Sequence, residues 1–100
     1  MSYRIRISPQ AAAQIRAVAS WWRANRPKAP LAFADELEKG FDLARAWPAS
    51  GEAVRHPQIE VRRILLGRIR YHLYYSVSPD TEVVEILALW HTSRGSAPKI

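Results

Sequence analysis

Apolar and polar residues alternate at the start of the chain and again in its second half. Residues 3–8 alternate with the two-residue period of a strand that has one buried face, and residues 69–77 repeat the pattern more clearly. Residues 59–66 are rich in β-branched side chains, and residues 83–90 form a nearly continuous apolar run. We therefore predict four strands, the last of them either central in its sheet or covered by another chain.

Between the first two predicted strands, the apolar positions recur with a helical period. Ser8 suits the N-cap, Pro9 suits the first helical position, and the apolar positions 15, 18, 19 and 22 form one stripe. The first helix should end at Arg26, because Pro27 disfavours helical geometry in the residue before it. A second helix can begin at Pro30 and is stopped by Pro48. Its inner face consists of Phe33, Leu37, Gly40, Phe41 and Ala44.

These elements predict an α+β fold: a strand, an antiparallel hairpin of two helices, and then a three-stranded antiparallel meander. The helices should pack on one face of the sheet, because both layers have one apolar side to bury. The length fits a single domain, residues 1–100, with a loop at 49–58 and a loose tail at 93–100. The pattern leaves open where the first strand lies in the sheet.

The composition is strongly basic, with a net charge of +6 that comes mainly from arginine. Arginine forms bidentate contacts to phosphate and carboxylate groups better than lysine does. The charge therefore indicates nucleic acid or an acidic protein segment as a partner. The alternative is that the charge serves solubility alone.

The chain contains no cysteine, which excludes disulfides and thiolate metal sites and fits a reducing cytoplasm. The first residues alternate instead of forming the apolar run of a signal peptide, and no apolar stretch is long enough to cross a bilayer. The three histidines lack metal-ligand spacing, and no phosphate-binding glycine loop occurs. We expect a cytoplasmic protein with no cofactor, no metal, no membrane partner and no small-molecule substrate.

The sheet face opposite the helices should collect basic and aromatic side chains. If Tyr71 and its apolar alternates face the helices, then Arg70, His72 and Tyr74 face outward. Further cations are expected beside them from the other strands and turns: Arg4, Arg6, Arg62, Arg63, Arg68 and Arg94. Such a face could bind phosphates or an acidic peptide. The alternative is an ordinary solvated sheet face.

Several single residues have both a functional and a structural interpretation. His72 and His91 could transfer protons near neutral pH. Alternatively, His72 is a surface histidine without a function, and His91 only forms a hydrogen bond to the adjoining loop. His56 is expected to be inert. Trp21 lies off the apolar stripe and is a candidate interface anchor, whereas Trp47 and the other tryptophans are expected in the core or at hinges.

A series of short motifs follows in order along the chain. They are Ile7-Ser8-Pro9, Trp21-Trp22, Phe33 with Leu37, Trp47-Pro48-Ala49-Ser50-Gly51, Val61-Arg62-Arg63-Ile64, residues 67–75, and Trp90-His91-Thr92-Ser93-Arg94. Together they resemble the ParE/RelE superfamily of toxins from bacterial type II toxin–antitoxin systems. They are most similar to its ParE, or plasmid-stabilisation, branch.

The resemblance implies the fold derived above and a cytoplasmic toxin that arrests growth. It also implies a ParD-like antitoxin that wraps an extended amphipathic segment around the toxin. Leu87 and Leu89, expected as apolar positions on the outer face, and the basic Arg70 would suit that segment. In the ParE branch the toxin inhibits DNA gyrase by protein–protein binding and catalyses nothing. In the RelE branch it is a ribosome-dependent endoribonuclease that cleaves messenger RNA.

The residues bear on the choice between the branches. RNA cleavage needs an acid, a base and cations, and RelE-like enzymes place lysines and arginines on their strands, whereas this chain has no lysine between Lys39 and Lys99. We therefore expect a non-enzymatic, ParE-like toxin. If the chain is a nuclease instead, the candidate residues are Arg70, His72, Tyr74, His91 and Arg94.

The first helix departs from the family pattern. Many ParE-like first helices are rich in acidic residues, whereas this one carries Gln14, Arg16 and Arg23. The target therefore stays open, and a third hypothesis is a degenerate family member that only binds nucleic acid or an acidic partner.

Overall fold

The elements lie close to where the sequence predicts them. A computed structural model describes residues 3–100, and within that range the chain forms two helices and a five-stranded sheet; residues 1 and 2 of the predicted domain lie outside it. The helices are α1 (Pro9–Asn25) and α2 (Ala32–Ala46), and a short 3₁₀ turn (Pro48–Ser50) follows them. The strands are β1 (Arg4–Ile7), β2 (Glu52–Val54), β3 (Val61–Leu66), β4 (Tyr71–Ser78) and β5 (Val83–His91).

The first strand lies at an edge of the sheet. The strand order is β1-β5-β4-β3-β2, and β1 runs parallel to β5 with Arg4 opposite Val83. The other neighbouring strands are antiparallel, as the predicted meander requires. The helical hairpin therefore carries the chain from the β1 edge across the sheet to the β2 edge.

Local chemistry sets the start of each helix. The Ser8 hydroxyl accepts a hydrogen bond from the backbone N–H of Ala11 (3.1 Å), and Pro9 occupies the first turn of α1 as predicted. The second helix begins at Ala32 and not at Pro30. The preceding residues form a turn, in which the N–H of Ala32 donates to the carbonyl of Ala29 (3.2 Å).

The core lies between the helices and one face of the sheet, and α2 contributes its predicted inner positions to it. Gly40 lets α2 approach closely, because a Cβ atom there would lie 2.7 Å from Leu66 Cδ2 and 3.2 Å from Leu73 Cδ2. One aromatic prediction is wrong: Trp47, expected in the core or at a hinge, is 69% exposed just after α2. The helix ends there, so the indole projects beyond the packed layer.

The predicted loop at 49–58 contains the 3₁₀ turn and β2, which the pattern did not reveal. A three-residue strand is too short to show alternation, and β2 exists because it pairs with β3, with Glu52 opposite Arg63. The Tyr75 hydroxyl fastens the preceding turn to the sheet. It donates to the carbonyl of Pro48 (2.6 Å) and accepts from the N–H of Gly51 (3.0 Å).

Candidate functional site on the outer sheet face

The strands present a helix face and an outer face, and a β-bulge in β5 changes which residues lie on each. Tyr75 pairs with Ile86 but Tyr74 pairs with Ala88, so the intervening Leu87 has no partner on β4. Leu87 and Ala88 both pack on the outer face, and the alternation resumes with Leu89 on the helix face.

The expectation that Leu89 faces outward beside Leu87 is therefore wrong. Leu89 is 2% exposed and belongs to the core beneath the helices. Its backbone N–H donates to the Oε1 atom of Gln14 on α1 (2.8 Å). Leu87 remains half-buried on the outer face, as expected.

The outer face carries a small apolar cluster of its own. Val61, Tyr74 and Ala88 are buried there, although the helices pack on the opposite face. Trp90 and Leu87 pack against them and are half-buried. Tyr74, expected as an exposed contact residue, is only 2% exposed.

The C-terminal tail runs along this cluster. The Trp90 indole N–H donates to the carbonyl of Ser96 (2.7 Å), and the Arg94 guanidinium lies 3.9 Å from the centroid of the same ring. Farther along, the carbonyl of Lys99 accepts from the Gln10 amide (2.7 Å), and Pro98 is buried. The predicted loose tail forms no helix or strand, but these contacts hold it against Trp90 and the start of α1 more closely than its composition indicates.

Arg63 organises the polar part of the outer face. Its Nε donates to the Glu52 carboxylate (2.6 Å), and a terminal nitrogen donates to the Tyr74 hydroxyl (3.2 Å). The hydrogen bond from Arg63, followed by its charge, lowers the pKa of Glu52. The bonds to Glu52 and Tyr74 likewise raise the pKa of Arg63, so this ion pair persists across the neutral range.

His72 lies beside this group, with its ring 6.1 Å from that of Tyr74. Burial lowers the pKa of His72, and the positive charge of Arg63 lowers it further. A lowered pKa favours the neutral imidazole at pH 7, so His72 carries a free lone pair and not a positive charge.

These side chains line a cleft of about 330 Å³ between the outer face and the tail. Its walls include Arg63, His72, Trp90, His91 and Arg94, and the tail supplies residues 95–97. Two arginines and a neutral histidine could contact an anionic group here. Glu52 balances one of those charges, so the cleft is less cationic than the sequence suggests.

Of the other candidate catalytic residues, His91 lines this cleft together with His72, whereas Arg70 lies outside it. Arg70 lies in the turn before β4 with φ of 64°, and its carbonyl accepts from the N–H of Thr92 (2.9 Å). Its predicted place on the strand is therefore wrong, because β4 begins only at Tyr71. The His91 ring packs edge-on against Tyr71 at a centroid distance of 4.8 Å, and Tyr71 packs on the helix-face core.

The remaining predicted cations are also dispersed. Arg62 and Arg63 are neighbours on a strand and face opposite sides; Arg62 donates to the carbonyl of Gly51 (2.8 Å) beside Tyr75 on the helix side. Arg68 lies in the β3–β4 turn, and its N–H donates to the Glu36 carboxylate (2.9 Å). This hydrogen bond fastens the backbone of the turn to α2.

Arg4 and Arg6 project from β1 on the side opposite Tyr3 and Ile5, as predicted. They extend the outer face at its β5 edge, where Arg6 lies 3.5 Å from the Glu85 carboxylate. Trp21 is 48% exposed on α1, which agrees with its position off the apolar stripe.

Two general features complete the description of residues 3–100. Within this range no helix is both long enough and apolar enough to span a bilayer. The same residues contain no cluster of three or more histidine, aspartate or glutamate side chains suited to a metal ion.

Residues 5–95 match the family model of the ParE toxin of type II toxin–antitoxin systems, parDE. The chain belongs to this ParE toxin family. A comparison with curated protein sequences finds no significant match.

Solved structures of toxin–antitoxin complexes share the fold of this ParE family member. A chain of the Pyrococcus horikoshii RelE–RelB complex is 22% identical, with a TM-score of 0.62 over 95% of this chain and 100% of that chain. A chain of the chromosomal ParDE system from P. aeruginosa is 17% identical, with a TM-score of 0.69 over 91% and 97%. A chain of RelBE2 from Mycobacterium tuberculosis is 19% identical, with a TM-score of 0.60 over 91% and 99%.

The structure adds residues to the ParE outer face that the sequence did not indicate. The sequence pattern places Glu52 in a loop, and only the pairing of β2 with β3 brings its carboxylate onto Arg63. Ser96 meets Trp90 because the tail folds back, and no periodic pattern predicts that contact. A tryptophan at the end of the last strand is the sequence feature that indicates a covering segment.

Proposed function

We propose that this ParE family toxin inhibits DNA gyrase by protein–protein binding, without catalysing a reaction, and that a ParD-like antitoxin neutralises it. The internal contacts of the groups that a nuclease would need support this proposal. His72, His91 and Arg94 line the same cleft, but the Arg94 guanidinium lies over the Trp90 ring and His91 Nδ1 is hydrogen-bonded to the Ser93 hydroxyl. Arg70 lies outside the cleft in a turn. Acid–base catalysis requires groups that can reach the reacting atoms, so side chains already engaged in internal contacts favour binding over cleavage.

A supercoiling assay tests the target. Gyrase is incubated with relaxed plasmid, ATP and increasing amounts of purified toxin, and supercoiled product is measured on a gel. We expect the product to disappear with excess toxin, while total RNA in a parallel reaction with ribosomes stays intact. Normal supercoiling at a large excess of folded toxin would end the gyrase proposal.

Apolar side chains that remain exposed on the helical layer support the proposal that an antitoxin binds there. Trp47, Leu31 and Leu43 lie at or near the ends of α2 or on its outer side and are exposed. Exposed groups of large apolar residues are typical of interaction sites. An amphipathic antitoxin segment would bury its apolar side there, and Leu87 gives it a further contact on the outer face.

A ribosome-dependent endoribonuclease is the second candidate, and the outer cleft favours it. The cleft combines a neutral His72, a possible proton acceptor, with the cations Arg63 and Arg94. Expression of the toxin would then produce new messenger RNA ends, which Arg94→Ala would abolish while leaving the fold intact. Unchanged transcript ends would exclude this activity. If expression neither arrests growth nor cuts RNA, the third candidate applies, a degenerate member that only binds.

A further inference from the structure

The net charge of the chain is concentrated in its first third. Residues 1–34 contain six basic residues and no acidic residue, whereas residues 35–100 contain nine of each. The whole surplus of +6 therefore comes from β1, α1 and the tip of the helical hairpin. The outer sheet face, although rich in arginine, belongs largely to the balanced part.

Most of the surplus lies on one structural unit, which we call the α1 basic surface: Arg16, Arg23, Arg26 and Lys28. All four are exposed, and within residues 3–100 none has a carboxylate oxygen within 4.0 Å. Arg16 and Arg23 are seven residues apart, which places them on the same side of the helix at a rise of about 10 Å. Arg26 Nη1 donates to the carbonyl of Asn25 (3.1 Å), but none of the four charges is balanced by a carboxylate, so they can attract an external anion.

The chemistry around the cations favours phosphate groups over a protein partner. The exposed positions beside Arg16 are the small residues Ala13, Ala17 and Ser20, which let a flat or convex polyanion come close. A protein interface would need a larger apolar centre, but the large apolar residue here, Trp21, already has the Arg26 guanidinium 5.3 Å from its ring centroid. Arginine contacts to phosphate need no such centre.

We propose that the α1 basic surface binds the sugar–phosphate backbone of duplex DNA without reading its sequence. The helices lie on the sheet face opposite the outer cleft, so DNA on α1 leaves the outer face free for another partner. The cations neutralise phosphates and release their counterions, which makes the affinity fall with salt.

Fluorescence anisotropy of the full-length chain tests this surface with a labelled duplex of roughly 20 base pairs. Between 50 and 200 mM salt we expect log K to fall with log[salt] at a slope of about −3 to −4, as for about four neutralised phosphates. The double variant R16Q/R23Q should flatten that slope by about two. The matched control K39Q/R55Q removes the same charge from exposed positions elsewhere and should leave the slope nearly unchanged.

Several outcomes would overturn the proposal. They are equal losses in the two double variants, no duplex binding at 50 mM salt, tighter binding of single-stranded RNA, or tighter binding of polyglutamate. Thermal unfolding checks that both variants stay folded, and native-like melting is expected because the substituted residues are exposed. The assay contains no gyrase, ribosome or antitoxin, so its result is independent of the proposed target.

Discussion

The hydroxyl of Tyr75 offers a test of how the 3₁₀ turn is fastened to the sheet. In Tyr75→Phe the carbonyl of Pro48 loses a donor at 2.6 Å, and the N–H of Gly51 loses an acceptor at 3.0 Å. The carbonyl can turn to water because Pro48 is half-exposed, but Gly51 is buried. A buried polar group without a partner costs about 1–3 kcal/mol, so we expect a loss of about 2 kcal/mol in the free energy of unfolding.

In a domain of this size, 1 kcal/mol shifts Tm by roughly 4–8 °C, so Tyr75→Phe should lower Tm by roughly 8–16 °C. The loss is measured by urea titration and by thermal circular dichroism. The control is Tyr71→Phe, which removes the same atom from the same strand at a hydroxyl that has no hydrogen-bond partner among residues 3–100. Equal shifts in the two variants, or a native Tm for Tyr75→Phe, would refute this account of the turn.

Three further predictions concern the core, the outer face and the helical layer. Leu89→Ala should cost about 2–5 kcal/mol of stability and Leu87→Ala clearly less, as judged by urea titration; equal costs would contradict the bulge. Folding lowers the pKa of His72, so the contribution of this residue to stability is complete above about pH 6.5 and is lost on acidification. The variant His72→Gln should therefore lose less stability than the wild type between about pH 7.5 and 5. Equal losses in the two proteins would contradict the lowered pKa. Trp47→Ala should leave Tm nearly unchanged yet weaken antitoxin binding by about 30-fold in calorimetry; unchanged affinity would remove Trp47 from that interface.

The parts of the fold that the sequence predicted are those with local causes. Ser8 and Pro9 mark the start of α1 through their own capping chemistry, and the apolar stripe then selects the buried side. The strand β4 is visible because its residues alternate in a single sequence segment. Each of these signals needs only neighbours in the chain.

The missed features depend instead on distant pairing. β2 becomes a strand because it lies against β3, and Leu89 changes face because β5 has one residue more than β4 across the bulge. Alternation assigns faces correctly only while the register is regular, and nothing in an apolar run such as residues 83–90 reveals an inserted residue. The predicted position of Arg70 on the strand is wrong for a similar reason, because the turn extends one residue farther than the alternation implies.

The balance of charge depends on the local sequence and also on pairing between distant residues, and it determines where a partner is expected. Read along the sequence, the arginines of the later strands predict a cationic outer face, but pairing brings Glu52 onto Arg63 and Glu85 near Arg6. The absence of acidic residues before Asp35 needs no pairing to be seen, and no part of the fold in residues 3–100 places a carboxylate on the exposed cations of α1. A polyanion attracted to this domain should therefore meet α1 first, whereas the outer face suits a partner that can displace or contact the tail.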